Sequence, residues 1–459
     1  MELSSRDLNF ILQNTPIKYS NATLKLLCKD SKDKYFKFLK PILENPKYNG
    51  IEKSTLEEHN PILWEAGHPI FFIEKHCLRY LYPENNYPYK PDKFYNNLYD
   101  SFIIPSEFRS KVNLPSFHDI TIYYLEIHEK LISYLDSIPD DQMNPNNYYM
   151  IMLVLLHLHM HLESYLFTNQ LTYKVNPFTY NIKDTNTNLK ITIEAPVPLD
   201  FIKIEGGTFW QGYFDKCNKI GFDNEKPSFK STIDTFLVSK TLITNHMFVK
   251  FIESGGYYDD SLWSFNGKLW KNNNLLDTSP LYWKKHRGEW YIDYFDNIIK
   301  LENIGNYPVI HISWYEAEAF AKWKGCRLIT ESEWEYIATN KSESYYPWGD
   351  EEEKLKECNL DYNQQWVTSV NYNSDLTKNK WGVTQLIGNC WEWCQESIYP
   401  YDGFTIDPLY REMSYPFFGY NKICKGGAWC VPNYLITSTY RNAQPPNTRK
   451  QYIGFRLAK

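Results

Sequence analysis

His157-Leu-His-Met-His161-Leu-Glu163 follows directly on the apolar run Tyr149-Met-Ile-Met-Leu-Val-Leu-Leu156. Read as one helix, the stretch puts His157 and His161 a turn apart on the same face, where both imidazoles can close on a single metal ion. The same spacing also serves a core in which two histidines merely satisfy hydrogen bonds, so the rest of the chain has to decide. Glu163 lies six residues from His157, about 240° around the helix, and His159 lies about 200° from both. Neither joins the pair as a ligand. Glu163 suits a supporting role, accepting the other ring N–H of a ligand histidine or tying neighbouring helices together.

A third ligand has to come from another helix, and the residues before this stretch supply several. Asn21 to Glu44 carries Leu24, Leu26, Leu27, Tyr35, Phe36, Phe38 and Leu39 at helical spacing. Asn60-Pro61 predicts a cap and a first-turn proline for a helix running to about Tyr80. Ser116-Phe-His-Asp119 predicts a capping box opening a helix through Leu135, and Asn144-Pro145 repeats the cap-plus-proline device before the histidine helix. Four helices without intervening strands predict an antiparallel four-helix bundle over residues 1–175, a scaffold that holds metals between facing helices. Spacing alone leaves His59, His68, His76, His118 and His128 open as the third ligand.

Composition sets the frame. A chain of 459 residues exceeds one ordinary core, so two domains are expected. With 43 % hydrophobic and 23 % charged residues it is globular rather than disordered, and a net charge of -6 gives no basic footprint for nucleic acid. The N-terminus lacks a basic segment followed by an apolar one, and no apolar run approaches membrane-spanning length. Nine cysteines without a framework of spacings fit reduced thiols. The expectation is a soluble, cytoplasmic protein without membrane or nucleic-acid partners. The sequence carries no signal for an oligomeric state.

Residues 176–199 form a polar, Asn/Thr/Pro-rich linker, and from residue 200 the pattern becomes short strands, short helices and long loops. Pro308 to Gly325 reads as a strand leading into an amphipathic helix, and Thr330-Glu-Ser-Glu333 as a second capping box. Trp391, Trp393 and Trp429 read as core packing.

Two resemblances complete the reading. His157-x-x-x-His161-x-Glu163, with Trp64-Glu-Ala-Gly-His68 upstream, resembles the DinB-like domain of the ergothioneine and ovothiol sulfoxide synthases. Gly206-Gly-Thr-Phe209, Arg327-Leu-Ile-Thr-Glu-Ser-Glu-Trp-Glu335, Gly388-Asn-Cys-Trp-Glu-Trp393, Gly426-Gly-Ala-Trp429 and Gly454-Phe-Arg456 resemble the formylglycine-generating-enzyme (sulfatase-modifying factor) fold, an α+β domain of C-type-lectin type. Together they imply a metal triad of His68, His157 and His161 binding Fe(II). The implied reaction is O2-dependent C–S bond formation between a thiol, cysteine or γ-glutamylcysteine, and the imidazole of histidine or hercynine. They further imply Tyr410 as proton donor, with Tyr399, Tyr401 and Tyr415 as rivals, Asn442 as a contact to the histidine-derived substrate, and Arg109 as holder of the thiol's carboxylate. The resemblance to the fold also allows a structural Ca(II) near Gly388–Glu392, although Gln385 replaces an expected aspartate.

Departures from the pattern bear on the substrates. Ala443-Gln444 stands where bacterial ergothioneine enzymes often have Trp-Asp, Met413 where some members have a second tyrosine, and Ser106 where a companion to Arg109 is expected. Absence of cysteine from Val431 to Lys459 speaks against formylglycine generation. An ovothiol-type synthase, a zinc-dependent thiol transferase or hydrolase, and a lectin-fold binding protein with a vestigial metal site are the alternatives carried forward.

Overall fold

The computed structural model describes residues 17–48, 60–82, 95, 98–178, 191, 193–213, 219–274 and 278–459. The chain divides into two compact units, Met1–Thr185 with Asn218–Ile220, and Asn186–Cys217 with Gly221–Lys459. Much of the expected linker, and His59, lies outside the described residues.

In the first unit four helices carry the fold: α1 Asn21–Leu43, α2 Ile62–Ile73, α3 Phe117–Ser137 and α4 Pro145–Thr168. Both α1 and α2 pack against α3 and α4, so the four close on one core. Ser20 caps α1, the Ser116–Asp119 capping box opens α3, and Asn144 caps α4 ahead of Pro145. The expected cap at α2 is corrected. Pro61 occupies the N-cap position without a side-chain bond, and the Asn60 amide reaches Glu65 instead. Helix α2 continues through a π-turn, Glu74–Leu78, to Leu81.

Helix α4 corrects a second expectation. With its terminal π-turn, Pro145–Tyr173 is long and apolar enough to cross a membrane by length and composition, but 83 % of its most apolar window is buried inside the protein. A helix that is apolar all round fits the centre of a bundle as well as it fits lipid.

Pro69, inside α2, has no N–H to give the Glu65 carbonyl one turn back. That carbonyl accepts from the Tyr165 hydroxyl of α4 at 3.0 Å. Backbone polarity freed by a proline thus becomes a tie between the two helices that carry the histidines.

The second unit is built on two four-stranded sheets. One has the order Phe201–Ile204, Phe236–Ser239, Leu457–Ala458, Arg327–Leu328; the other has Asn442–Gln444, Lys422–Lys425, Trp391–Ser397, Ile453–Gly454. Arg456 lies between the last strands of both sheets. It donates to Glu392 at 2.5 and 2.8 Å on one side and to the Ser239 carbonyl at 3.3 Å on the other. Helices Trp314–Trp323 and Glu331–Ala338 both open on capping boxes. Pro308 makes only an isolated bridge to Thr244 rather than the expected strand. Trp391, Trp393 and Trp429 are fully buried core residues.

Candidate metal centre

Helices α2 and α4 bring three histidines together. One nitrogen each of His68, His157 and His161 falls in a group whose members all lie within 4.8 Å of one another. His68 and His157 are buried and His161 is partly open. Nε2 of His161 faces Nε2 of His157 at 3.3 Å.

Each ring is held from behind. Nδ1 of His68 lies 2.7 Å from the Tyr99 carbonyl, which can only accept, so the proton sits on Nδ1 and the Nε2 lone pair is offered inward. Nδ1 of His161 lies 2.6 Å from Oε2 of Glu65. The indole of Trp64 stacks on His68 at 4.7 Å and 15°, and Phe72 stacks on His157 at 3.8 Å and 16°. Gly67 makes room for this packing, because a Cβ there would strike the Tyr99 ring.

Electrostatics favour neutral ligands. Burial, reinforced by the neighbouring His161, pulls His68 down to about 3, and burial likewise holds His157 well below its ordinary value. Burial would raise the Glu65 carboxyl, but His161 and the Asn60 amide outweigh it and hold the group at about 2. Burial thus favours the neutral form of His68 and His157, beside one ionised carboxylate. The three-histidine donor set fits a divalent first-row metal such as Fe(II), with coordination positions left over.

Glu65 is the residue the sequence reading missed, although it lies inside the Trp64–His68 segment. Its signal was positional: three residues before His68, it shares the ligand's face of α2. Glu163 is buried on α4. Arg109 donates to Asn60 Oδ1 at 2.8 Å and to the Ile104 carbonyl at 3.1 Å, with its guanidinium 3.9 Å over Trp64. His76, on the turn after the metal helix, packs against Phe72 with the rings tilted by 34°, and the three-histidine group does not include it.

The remaining predicted residues belong to the second unit. Tyr410 is buried against Phe222, and burial raises its hydroxyl so that it stays protonated. Tyr399 and Tyr415 are exposed, while Tyr401 lies beneath the Arg441 guanidinium at 4.1 Å. Beside Tyr410, burial lifts the Asp223 carboxyl to about 6, and Asp223 accepts from the Ser414 hydroxyl and the Asp407 N–H. Asn442 Oδ1 accepts from the Ala443 N–H at 2.8 Å, and among the described residues its Nδ2 has no partner. Neighbouring Arg441 is buried in a two-point pair with Glu331 at 2.6 and 3.0 Å.

Two further expectations meet the structure here. Gln385 Nε2 donates to the Ser369 and Tyr372 carbonyls at 2.9 and 3.1 Å, Asn389 donates to Gln385 at 2.9 Å, and Glu392 is committed to Arg456. Side-chain N–H groups already face the oxygens a cation would need, so these residues do not fit Ca(II). Cys390 and Cys394 are fully buried, and burial raises both thiols, the opposite of a reactive pair. The described cysteines are all free.

Comparison with known proteins places this architecture. Residues 192–459 match the sulfatase-modifying factor enzyme 1-like domain, and the chain belongs to that family. Its relatives include hercynine oxygenases. Over 411 residues it is 27 % identical to that of Mycolicibacterium smegmatis, covering 87 % of this chain and 91 % of the relative. Over 243 residues it is 32 % identical to that of Mycobacterium tuberculosis, covering 51 % of this chain and 55 % of the relative, about half of that protein's length. Among solved structures, PvdO from Pseudomonas aeruginosa aligns with a TM-score of 0.41 and 19 % identity over 56 % of this chain and 93 % of that one.

Proposed function

We propose that this protein is a non-haem Fe(II) sulfoxide synthase. It joins cysteine or γ-glutamylcysteine to the imidazole of hercynine or histidine, with the ergothioneine-type reaction preferred over the ovothiol type. The observation that carries the reading is the convergence of His68, His157 and His161, with ring protons directed outward to Tyr99 and Glu65. Similarity to a hercynine oxygenase along most of the chain supports the choice of substrate class.

His68, His157 and His161 would hold the iron, with Glu163 proposed to support a ligand ring. When bound, Fe(II) would supply O2 activation and favour the thiolate form of the thiol substrate. The reaction balances as thiol plus imidazole C–H plus O2 giving the C–S sulfoxide plus water. Arg109 is proposed to hold the thiol's carboxylate and Asn442 to offer Nδ2 to the histidine-derived substrate. Tyr410, kept protonated by burial, is proposed to donate a proton. The setting is a soluble, cytoplasmic enzyme acting on small molecules.

The test is anaerobic Fe(II) loading followed by oxygen consumption with each thiol–imidazole pair, in wild type and His157→Ala. Pair-dependent uptake that disappears in the variant supports the reading. A protein that turns over with zinc, or binds substrate without consuming O2, belongs to the transferase or binding-protein alternatives.

A further inference from the structure

We propose that Glu65, with Asn60 and Arg109 behind it, is a positioning residue: the three form a one-directional hydrogen-bond chain that fixes which nitrogen of His161 faces the metal. The inference rests on the three-histidine reading above and adds a device to it.

The direction of the chain is set at its far end. A guanidinium can only donate, so the bond from Arg109 Nη1 to Asn60 at 2.8 Å assigns the oxygen of that amide to the arginine. The Asn60 Nδ2 donor then faces Glu65 Oε1, at 2.5 Å. An ionised carboxylate has only acceptors, so its second oxygen takes its bond from a proton on His161 Nδ1, at 2.6 Å. Nε2 is left with a lone pair, on the side facing His157. Each link leaves the next one a single polarity, and a donor-only side chain three residues removed selects the tautomer of a ligand. A second contact runs in parallel: Arg109 lies over Trp64, which stacks on His68.

This logic makes a demanding prediction. Glutamine at position 65 keeps size and shape but has one acceptor and one donor end. With Asn60 pinned as donor, the glutamine oxygen turns to Asn60 and its NH2 opposes His161 Nδ1, forcing the proton onto Nε2. Replacing Asn60 by aspartate as well reverses that link. The new carboxylate accepts from Arg109 and from the glutamine NH2, and the glutamine oxygen again accepts from Nδ1–H. The double variant restores the chain while conserving total charge.

The experiment is anaerobic titration of the metal-free full chain with Co(II), reading affinity and the visible ligand-field spectrum, with circular dichroism as the folding control. Expected are a loss of about 10–100-fold in affinity and an altered spectrum for Glu65→Gln, recovery of most of both in Asn60→Asp/Glu65→Gln, and abolished binding in His157→Ala. Should Glu65→Gln fail to fold, recovery of the wild-type spectrum in the double variant still decides. Wild-type affinity and spectrum in Glu65→Gln, or a double variant no better than the single one, overturns the positioning role while leaving the histidine site standing. Undiminished Co(II) binding in His157→Ala overturns both together.

Discussion

The Tyr165 hydroxyl lies 3.0 Å from the Glu65 carbonyl, the acceptor that Pro69 leaves without a helical donor. One bond therefore joins α2 to α4 at the residue whose side chain holds His161. Tyr165→Phe should cost about 1–3 kcal/mol by stranding a buried carbonyl, and should weaken metal binding. In a Pro69→Ala background the helix can supply its own N–H, so the same substitution should cost much less. Urea unfolding of the four members of this cycle measures the coupling, and additive effects would contradict the account.

Gly67→Ala places a methyl against the Tyr99 ring, and Tyr99 supplies the carbonyl that fixes His68. Overpacking here should destabilise by about 1–3 kcal/mol and reduce metal affinity through His68. Thermal melts with and without Co(II) should show the ligand-induced stabilisation shrinking along with the intrinsic melting temperature.

Two sets of buried groups should respond to acid in opposite senses. In the first unit burial holds His76 at about 3, His128 at about 4 and His159 well below its ordinary value. An unfolded histidine binds a proton near 6.5. Below that pH the unfolded chain takes up protons that the folded one refuses, so stability is intact above about 6.5 and is lost as pH falls toward 3–4. In the second unit burial raises Glu335 and Glu396 to about 7 and Asp223 to about 6. These carboxyls bind protons more readily in the folded state, so their contribution to stability rises as pH falls from 7 toward the ordinary carboxylate range, while His311, held at about 3 by burial, contributes in the other direction. Segment-resolved hydrogen exchange at pH 7.5 and 5.5, corrected for intrinsic rates, should show protection falling in α1, α3 and α4 but not in the Glu331–Ala338 helix.

Arg456 and Glu392 form a fully buried pair that carries the Gly454-Phe-Arg456 motif. Arg456→Met strands the carboxylate and should cost about 3–5 kcal/mol. Because the penalty is that of an unpaired buried anion, and burial raises the Glu392 carboxyl while Arg456 opposes that, it should be smaller at pH 5 than at pH 7.5. Denaturant midpoints of wild type and variant at the two pH values give the comparison.

Local signals in the sequence were strong where one residue type has one use. Ser116–Asp119, Asn144-Pro145 and Thr330–Glu333 announced helix starts that the structure contains, because capping chemistry depends on neighbours only. The i, i+4 pair His157 and His161 was legible for the same reason, since one helix sets their geometry. Choosing His68 over the other histidines depended on resemblance, and Glu65 was invisible beside Glu163 because its partner is 96 residues away. Asn60 looked like a cap. Tertiary context, the approach of His161 and Arg109, redirected its amide. The membrane-length character of α4 was underrated because hydropathy does not distinguish a bundle core from lipid.

The central claim is a C–S bond made at a three-histidine iron site at the expense of O2. Its most direct test is the product of the Fe(II)-loaded protein under oxygen-18 gas, with thiol and hercynine or histidine, read by mass spectrometry. The account predicts a thiol–imidazole adduct carrying a single labelled oxygen on sulfur, absent with His157→Ala. Oxygen consumed without such an adduct, or an adduct with unlabelled sulfoxide, would contradict it.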